Sequence, residues 1–320
     1  MATALRSSRA GARAPERRLG QIYRREVAPQ IAALDAERAR RRGKFLVTAL
    51  GCALGLPVLV AALWPLGPEW ALLVGVIGLA IAVNVLAQQQ RSFSHHLRAL
   101  VMPAICRAIG GLQHRAGEAP EIPFDELERL GLLPQHDARQ IDDVFTGRHR
   151  DTAFVMAEAR LRQRRRGGRN SRRRTAFRGL ILAIEVPRAI AAPILIARDA
   201  GALGNRFHGW LKGFQRLQRV ALPHPAFEAR FEVYGERAEV VREIVSPGVC
   251  DALVALGEAH PKAALQGAFQ GRWFYLTLAR RGDQFRLGSL FRSLDGLEQE
   301  AGQVLQDIQI VHQVIDRLHG

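Results

Sequence analysis

The chain has 320 residues and carries 46 Lys and Arg against 30 Asp and Glu, a formal net charge of +16. This excess of positive charge indicates that an anionic surface lies close to the protein. The three cysteines, Cys52, Cys106 and Cys250, are odd in number and lack metal-type spacing, which excludes a disulfide framework and a cysteine metal site. We therefore expect free thiols in a reducing compartment.

The part of the chain before the first apolar run is basic throughout. Residues 1–15 are mostly Ala, Arg, Ser and Gly and are predicted to form a disordered tail. Residues 16–43 are predicted to form a basic amphipathic juxtamembrane helix, interrupted near Pro29, that could lie on a membrane or pair with a partner. Its apolar stripe consists of Leu19, Ile22, Val27, Ile31 and Leu34.

Two long apolar runs follow, at residues 45–64 and 70–87. Each has about the 20 residues that a bilayer-spanning helix needs, and neither contains a charged residue. A helix in a soluble core normally keeps a polar stripe, and the first run starts too far from the N-terminus for a cleaved signal peptide. The pattern therefore predicts a transmembrane helical hairpin over residues 44–89.

The charges around the hairpin predict its orientation. Lys and Arg near helix ends favour the cytoplasmic side, and the turn between the two runs contains Glu69 but no Lys or Arg. We therefore expect a multi-pass protein of the bacterial inner membrane with both termini in the cytoplasm. The basic residues before the first run and after the second are Arg38, Arg40, Arg41, Arg42, Lys44, Arg91 and Arg98.

Gly51 and Gly55 in the first run have the Gly-x-x-x-Gly spacing that permits close helix approach. Residues four apart lie on the same face of a helix. Packing of the two helices within one hairpin is the favoured interpretation, and a contact between two copies of the chain is the alternative.

Residues 90–140 are predicted to form a juxtamembrane helical linker. The helical pattern continues beyond the second run to Ile109, and Gly110 and Gly111 end it. A further element of about two helical turns is predicted over residues 124–130.

Residues 141–320 are predicted to form a cytosolic α+β domain with a largely antiparallel sheet and flanking helices. Ser246 and Pro247 are typical of a helix start. A hairpin is predicted to turn about Gln270-Gly271, and a long amphipathic C-terminal helix from Leu294 would pack across the sheet or against a protein partner. Further strands are predicted at residues 153–161, 175–186, 193–197, 219–222 and 231–234.

Several motifs in the second half of the chain occur together in a fixed order. They are Phe177-Arg178-Gly179-Leu180, the run from Pro225 to Tyr234, Ile244-Val245-Ser246-Pro247, the run from Gly271 to Leu276, and Phe285. In these motifs the chain resembles the bacterial membrane-protein family catalogued as domain of unknown function three-one-three-seven. The resemblance implies an envelope protein with a transmembrane pair before this region, and it implies no catalytic residues.

An arginine-rich segment between two predicted strands is the most unusual exposed feature. Gly and Asn in this segment favour a turn, so we expect a positively charged hairpin tip. Contact with anionic lipid head groups, at about 1 kcal/mol for each basic residue, is the functional interpretation, and a mobile solvated loop is the alternative. The candidate lipid-contact residues are Arg164, Arg165, Arg166, Arg169, Arg172, Arg173 and Arg174.

No motif in the sequence carries a known chemistry. There is no Walker loop, dinucleotide-binding glycine triplet, zincin motif, nucleophile elbow or Cys-x-x-Cys pair. We therefore predict no catalytic, cofactor-binding or metal-binding residues. The leading hypothesis is a non-enzymatic, membrane-tethered binding or scaffold module, whose expected partners are anionic lipid and, through the C-terminal helix, a protein.

Two alternative functions stay open. The first is an enzyme that acts on a membrane-proximal substrate, which needs acids, bases or His to converge in one cleft. The second, a membrane-tethered nucleic-acid binder, is disfavoured because no aromatic residues interleave with the arginines. The enzyme hypothesis would gain from convergence of Arg178, His224, Glu228 and Glu232.

Overall fold

The computed structural model describes residues 15–164, 173–198, 216–280 and 293–318, together with Leu287 and Phe291. Internal contacts divide the chain into two compact units. The helical unit comprises Met1–Ala108 and Arg286–Leu305, and the sheet unit comprises Ile109–Phe285 and Gln306–Gly320. Helices and an antiparallel sheet together confirm the predicted α+β class.

Two long helices make up most of the helical unit. Helix α1 (Ala28–Leu63) and helix α2 (Pro68–Ile109) are joined by the short 3-10 turn Trp64–Leu66. Both are long and apolar enough to cross a membrane, with mean hydropathies of 2.3 and 2.4 in their most apolar 18-residue windows. None of the first window and 11% of the second is buried. Such exposed apolar surface is what a lipid-facing hairpin requires.

The two helices contact each other at glycines of α2. A Cβ atom added at Gly75 would lie 2.9 Å from Val60 Cγ2, and one at Gly78 would lie 2.4 Å from Leu56 Cδ2. Glycine therefore leaves room for the branched side chains of α1. By contrast, a Cβ atom at either glycine of the Gly-x-x-x-Gly pair in α1 would meet nothing within 4 Å, so the predicted role of that pair in packing the hairpin is wrong.

We expect Gly78→Leu to destabilise the hairpin and Gly55→Leu to leave its stability nearly unchanged. The first substitution forces a side chain against Leu56, and overpacking of this kind costs about 1–3 kcal/mol, whereas the second adds a side chain in open space. Thermal unfolding of the full-length protein in detergent micelles measures both. Equal melting temperatures for the two variants would show that the glycines of α2 do not set the contact.

A helical segment precedes α1 and continues into it. Residues 15–22 are helical, and a π-helical turn (Tyr23–Val27) leads directly into α1. Pro29 accounts for the wider turn, because proline has no N–H to donate and its ring clashes with the carbonyl four residues earlier. The predicted interruption is therefore a local widening of one continuous helix.

The apolar stripe of this N-terminal segment is covered by protein. Leu19, Tyr23 and Val27 are at most 4% exposed, and Glu26 pairs with Arg107 of α2. Burial, followed by the carboxylates of Glu298 and Glu300, raises the pKa of Tyr23 to about 12. The stripe packs inside the helical unit and is not the free apolar face that binding flat on a membrane needs.

The sheet unit contains one antiparallel sheet. Among the described residues its strands are β1 (Leu112–Ala116), β2 (Ala138–His149), β3 (Thr152–Arg164), β4 (Arg173–Arg198), β5 (Gln218–Arg219), β6 (Phe231–Gly235) and β7 (Ala264–Ala279). They pair in the order β1-β2-β3-β4-β6-β5, and β7 pairs with β4. Every pairing is antiparallel, as predicted.

Strand β1 lies in the segment for which the sequence predicts a helical linker. Its central residues Gln113, His114 and Arg115 are polar, so the apolar alternation that marks a strand is missing. Pairing with β2 nevertheless makes it an edge strand. The sheet therefore begins at Leu112 and not near residue 141.

Strand β7 folds back on itself. Thr277 Oγ1 donates to the Gln266 carbonyl at 3.5 Å, and the rings of Phe269 and Phe274 stack with centroids 4.2 Å apart. Gly271, with φ +58°, lies at the reversal in the left-handed conformation that favours glycine. This geometry agrees with the hairpin predicted at that glycine, with both arms assigned to one continuous strand.

Strand β4 bends together with β7. The two strands pair from one end of β7 to the other, with two register shifts between Glu185 and Ile194. Because β4 has more residues than β7 between these pairs, it takes the longer outer path around the turn. The strands predicted at residues 175–186 and 193–197 are therefore two arms of β4.

Apolar layers cover both faces of the sheet. On one face, the segment around α3 (Phe124–Arg129) joins the strands in a single hydrophobic core. On the other face, His312 of the C-terminal helix contacts Phe154 of β3, with ring centroids 5.6 Å apart. The residues predicted to share one face of β3 all belong to the first core: Val155, Ala157, Ala159 and Leu161.

The short helices α4 (Pro225–Glu228) and α5 (Ala238–Ile244) flank β6 in the chain. Helix α6 (Pro247–Ala259) begins where the sequence predicts, because Ser246 Oγ accepts a hydrogen bond from the Val249 N–H at 3.4 Å. Its C-terminal end leads into residues 260–263.

The apolar face of the C-terminal helix α7 (Leu297–Leu318) is buried. Asp316 of this helix accepts hydrogen bonds from His149 Nε2 and Arg150 Nε, both at 2.8 Å. Packing within the chain therefore accounts for the amphipathic pattern. The residues of this face are at most 3% exposed: Leu297, Ala301, Val304, Leu305, Ile308, Val311, Val314 and Ile315.

Candidate functional site

The predicted lipid-contact arginines lie at the ends of β3 and β4 and between them. Strand pairing places Arg164 opposite Arg173 and Gln163 opposite Arg174, as expected of a hairpin. Arg164 and Arg174 are exposed, and the Arg164 N–H donates to Asp137 Oδ2 at 2.7 Å. The other candidates lie outside the described residues: Arg165, Arg166, Arg169 and Arg172.

A basic pocket opens at the base of this hairpin. Its volume is about 960 Å³, and its lining starts at Thr175, directly after Arg174. Among the described residues the lining includes no carboxylate. Apart from one group of cationic or titratable side chains, the lining residues are small or apolar. That group consists of Arg178, His260, Lys262 and Arg280.

Three arginines lie side by side across neighbouring strands, and two of them, Arg178 and Arg280, line this pocket. Arg160 of β3 lies opposite Arg178 of β4, and the Arg280 N–H donates to the Arg178 carbonyl at 2.9 Å, which extends the β4–β7 pairing by one residue. Residues opposite each other in antiparallel strands share a face. These three residues are called the arginine row.

Each arginine of the row has one buried nitrogen atom that forms no hydrogen bond with any described residue. Among the described residues, the Nε atoms of Arg160 and Arg178 and the Nη1 atom of Arg280 are buried without a hydrogen-bond partner. Like charges directly opposite each other in a sheet are destabilising, and a buried charged donor without a partner costs more than a neutral one. An anion in the basic pocket would offset the charge of the two arginines that line it, Arg178 and Arg280.

A fourth arginine has a different, structural role. Arg198 Nη1 donates to the Pro261 carbonyl at 3.1 Å and to the Ala263 carbonyl at 2.8 Å. These bonds fix residues 260–263, which place His260 and Lys262 in the wall of the basic pocket. Arg198 therefore shapes the pocket without lining it.

Burial shifts the pKa values of two groups near Arg280, and the charge of Arg280 modifies both shifts. Burial lowers the pKa of His260, and the positive charge of Arg280 lowers it further, so His260 is neutral at pH 7. Burial raises the pKa of Asp307, and Arg280 partly opposes this rise without forming an ion pair with the carboxylate. The positive charge of Arg280 therefore acts on both His260 and Asp307.

The residues proposed for an enzyme cleft fall into separate clusters. His224 Nδ1 accepts from the Phe227 N–H at 3.1 Å, and His224 Nε2 lies 3.1 Å from an Asp251 oxygen, so this histidine caps α4. Glu228 and Glu232 both face Arg219, at 3.7 and 3.4 Å. Arg178 lines the basic pocket, whose lining includes none of the other three.

The arrangement is suited to binding and orienting an anion. In the part of the chain that the structure describes, no group of three or more His, Cys, Asp or Glu side chains could hold a metal ion. The lining supplies positive charge and N–H donors from several directions. Guanidinium groups bind phosphate and carboxylate oxygens in a bidentate geometry, so a row of them selects such groups.

Sequence analysis named Arg178 but not the residues around it. Arg160 and Arg178 each lie next to apolar residues inside a predicted strand. This unusual placement of a charged residue was the one feature of the sequence that could have indicated the site. Their juxtaposition with Arg280 depends on strand register, which the sequence pattern does not specify.

We expect Arg178→Met to stabilise the protein and Arg198→Met to destabilise it. The first variant removes the central charge of the arginine row while keeping the side-chain length, for a gain of about 1 kcal/mol. The second removes the hydrogen bonds that hold residues 260–263, for a loss of about 1–2 kcal/mol. Thermal unfolding of the full-length protein in phosphate-free buffer measures both, and a lowered melting temperature for Arg178→Met would indicate a structural role for the row.

Comparison with known proteins finds a family model that matches the region that contains the pocket. Residues 175–319 match the model of the family described as "Protein of unknown function (DUF3137)", which confirms the resemblance noted in the sequence. Every residue that lines the basic pocket lies within this range. No curated protein matches the sequence.

One solved structure is similar, the crystal structure of the mycobacterial trehalose monomycolate transport factor A, TtfA. The sequences are 10% identical, the TM-score is 0.33, and the match covers 68% of this chain and 94% of the other. A similarity of this size supports no statement about the fold or function of the present protein.

Proposed function

Because residues 175–319 carry the domain of a family of unknown function, we propose a role from the site itself: a membrane-anchored, non-enzymatic module that binds an anionic group in the basic pocket. The arginine row is the observation that carries this proposal. Three guanidinium groups held together without a carboxylate in the lining cost stability, and a ligand that neutralises them explains the arrangement.

A phosphate group is the anion that fits this pocket best. Its oxygens can accept hydrogen bonds from Arg178 and Arg280 at once, while Lys262 supplies a further charge at the rim. A pocket of about 960 Å³ is larger than one phosphate, so the ligand would carry additional groups. The small and apolar part of the lining offers them a neutral surface.

The phosphate could belong to a soluble molecule or to a lipid head group. The predicted lipid-contact arginines favour the lipid, since Arg164 and Arg174 are exposed and Arg174 directly precedes Thr175 of the lining. Basic side chains at an anionic membrane surface each contribute about 1 kcal/mol of binding. The arginines of the β3–β4 hairpin would then contact the membrane surface while the basic pocket binds one lipid head group.

The ligand test uses the full-length protein in nanodiscs of phosphatidylcholine. We expect inorganic pyrophosphate to bind in isothermal titration calorimetry, and Arg178→Gln/Arg280→Gln to weaken binding at least about tenfold, because each charge-assisted hydrogen bond contributes about 1.5–3 kcal/mol. Arg237→Gln, at an exposed arginine outside the pocket, is the matched control. Equal affinity for all variants would refute a role of the pocket in anion binding.

A second arm of the same experiment separates the two sources of phosphate. Nanodiscs that contain phosphatidylglycerol present the head group continuously at the membrane surface. If lipid occupies the pocket, these nanodiscs lower the apparent affinity for pyrophosphate. An affinity equal to that in phosphatidylcholine nanodiscs favours a soluble ligand.

The proposal also places the protein in the bacterial inner membrane, as a multi-pass protein with both termini in the cytoplasm. The apolar helices and the basic residues at their outer flanks support this topology. We expect a fluorescent protein fused after Gly320 to be active and alkaline phosphatase at the same position to be inactive. The opposite pair of activities, or release of the protein from membranes at alkaline pH, would contradict the topology.

A further inference from the structure

A polar groove lies between α1 and α2 where both helices leave their apolar runs. On α1 its lining comes from residues just before Phe45, and on α2 from residues around the end of the second run. The volume is about 560 Å³, within the range of sites for small ligands. In a membrane, this level of a hairpin is the head-group region.

One arginine of the groove is fixed between the two helices. Arg41 Nε donates to Glu37 Oε1 at 2.8 Å, and Arg41 Nη1 donates to Ser92 Oγ of α2 at 3.3 Å. The charge of Arg41 is therefore already neutralised by Glu37. This contact links α1 to α2 at the groove. It also occupies Glu37, the one carboxylate among the described residues that line the groove.

Two other cationic side chains in the lining form no ion pair with any described residue. Arg40 and Lys44 are exposed, lie one helical turn apart on the same face of α1, and have no ion-pair partner among the described residues. The side chains of Gln88 and Gln89 face them from α2 as part of the same lining. The groove thus presents two free positive charges together with amide donors and acceptors.

Exposed apolar surface continues directly from the groove. Val85 lines it at 37% exposure, and Leu46, Val47 and Leu50 on α1 are between 51% and 72% exposed. A free phosphate would leave this surface uncovered, whereas the acyl chains of a lipid would lie along it. The combination of a polar groove and an adjoining apolar wall has the two-part chemistry of a phospholipid.

We infer that this groove binds a phospholipid with a net negative head group, of the phosphatidylglycerol type. Arg40 and Lys44 take the phosphate, and the glutamine amides take the hydroxyl groups of the head group. A zwitterionic head group fits less well, because its ammonium would need Glu37, which Arg41 occupies. The inference rests on the membrane location proposed above but not on the basic pocket of the sheet unit.

The test compares two arginines on the same helix. Arg40 lines the groove and Arg42 does not, although both are exposed and they lie only about 3 Å apart along the helix axis. The full-length protein in neutral detergent is titrated with phosphatidylglycerol or phosphatidylcholine, and native mass spectrometry counts the bound lipid. We expect Arg40→Gln and Lys44→Gln each to weaken phosphatidylglycerol binding about fivefold, and Arg42→Gln to have no effect.

Each other outcome overturns the inference. Equal losses for Arg40→Gln and Arg42→Gln would indicate a diffuse basic belt, and equal binding of phosphatidylcholine would remove the charge selectivity. Displacement of the lipid by millimolar inorganic phosphate would indicate a site for free anions. Arg178→Gln/Arg280→Gln should leave this lipid count unchanged, and alkaline extraction tests the membrane location separately, so failure of the groove and failure of the proposed function are distinguishable.

Discussion

Antiparallel pairing of β4 with β3 and β7 is the constraint on which the sheet unit depends. Pairing is possible beside the pocket because Gly179 has no side chain: a Cβ atom there would lie 2.0 Å from the Leu278 carbonyl oxygen. Backbone atoms cannot move aside as a flexible side chain can. Gly179 therefore lets β7 close against β4 at the position where Arg178 enters the arginine row.

The same pairing produces a conflict between stability and binding. Register places three guanidinium groups on one face, and a more stable sheet would have apolar or oppositely charged residues there. A ligand of the proposed kind would offset this cost in stability. Arg198, by contrast, donates its hydrogen bonds to backbone carbonyls and supports the wall of the pocket.

The features that the sequence predicted well have strong local signals. Uncharged apolar runs identified α1 and α2, Ser246-Pro247 marked the start of α6, and a regular apolar stripe marked α7. Strand β1 was not predicted, because its central residues are polar and only pairing with β2 makes it a strand. Local pattern also failed at the hairpin glycines, since Gly75 and Gly78 lack the Gly-x-x-x-Gly spacing yet face Val60 and Leu56.

The candidate site was less accessible to sequence analysis, because long-range pairing creates it. Arg160, Arg178 and Arg280 are far apart in the chain and meet only when the register of three strands is fixed. The arginine-rich segment attracted attention through its composition, whereas single arginines inside apolar strands carry a weaker signal. The composition of the sequence thus indicated a segment next to the basic pocket, but it did not identify the residues that line the pocket.

The bend in β4 has a consequence for how the protein matures. Arg178 and Arg198 stand near opposite ends of this one strand, yet the first lines the basic pocket and the second holds the loop that completes it. The pocket exists only where β4 has curved and β7 has reversed, so it belongs to the folded sheet and not to the unfolded chain. A compound that occupies it would select the finished topology over partly formed intermediates, and would act as a pharmacological chaperone.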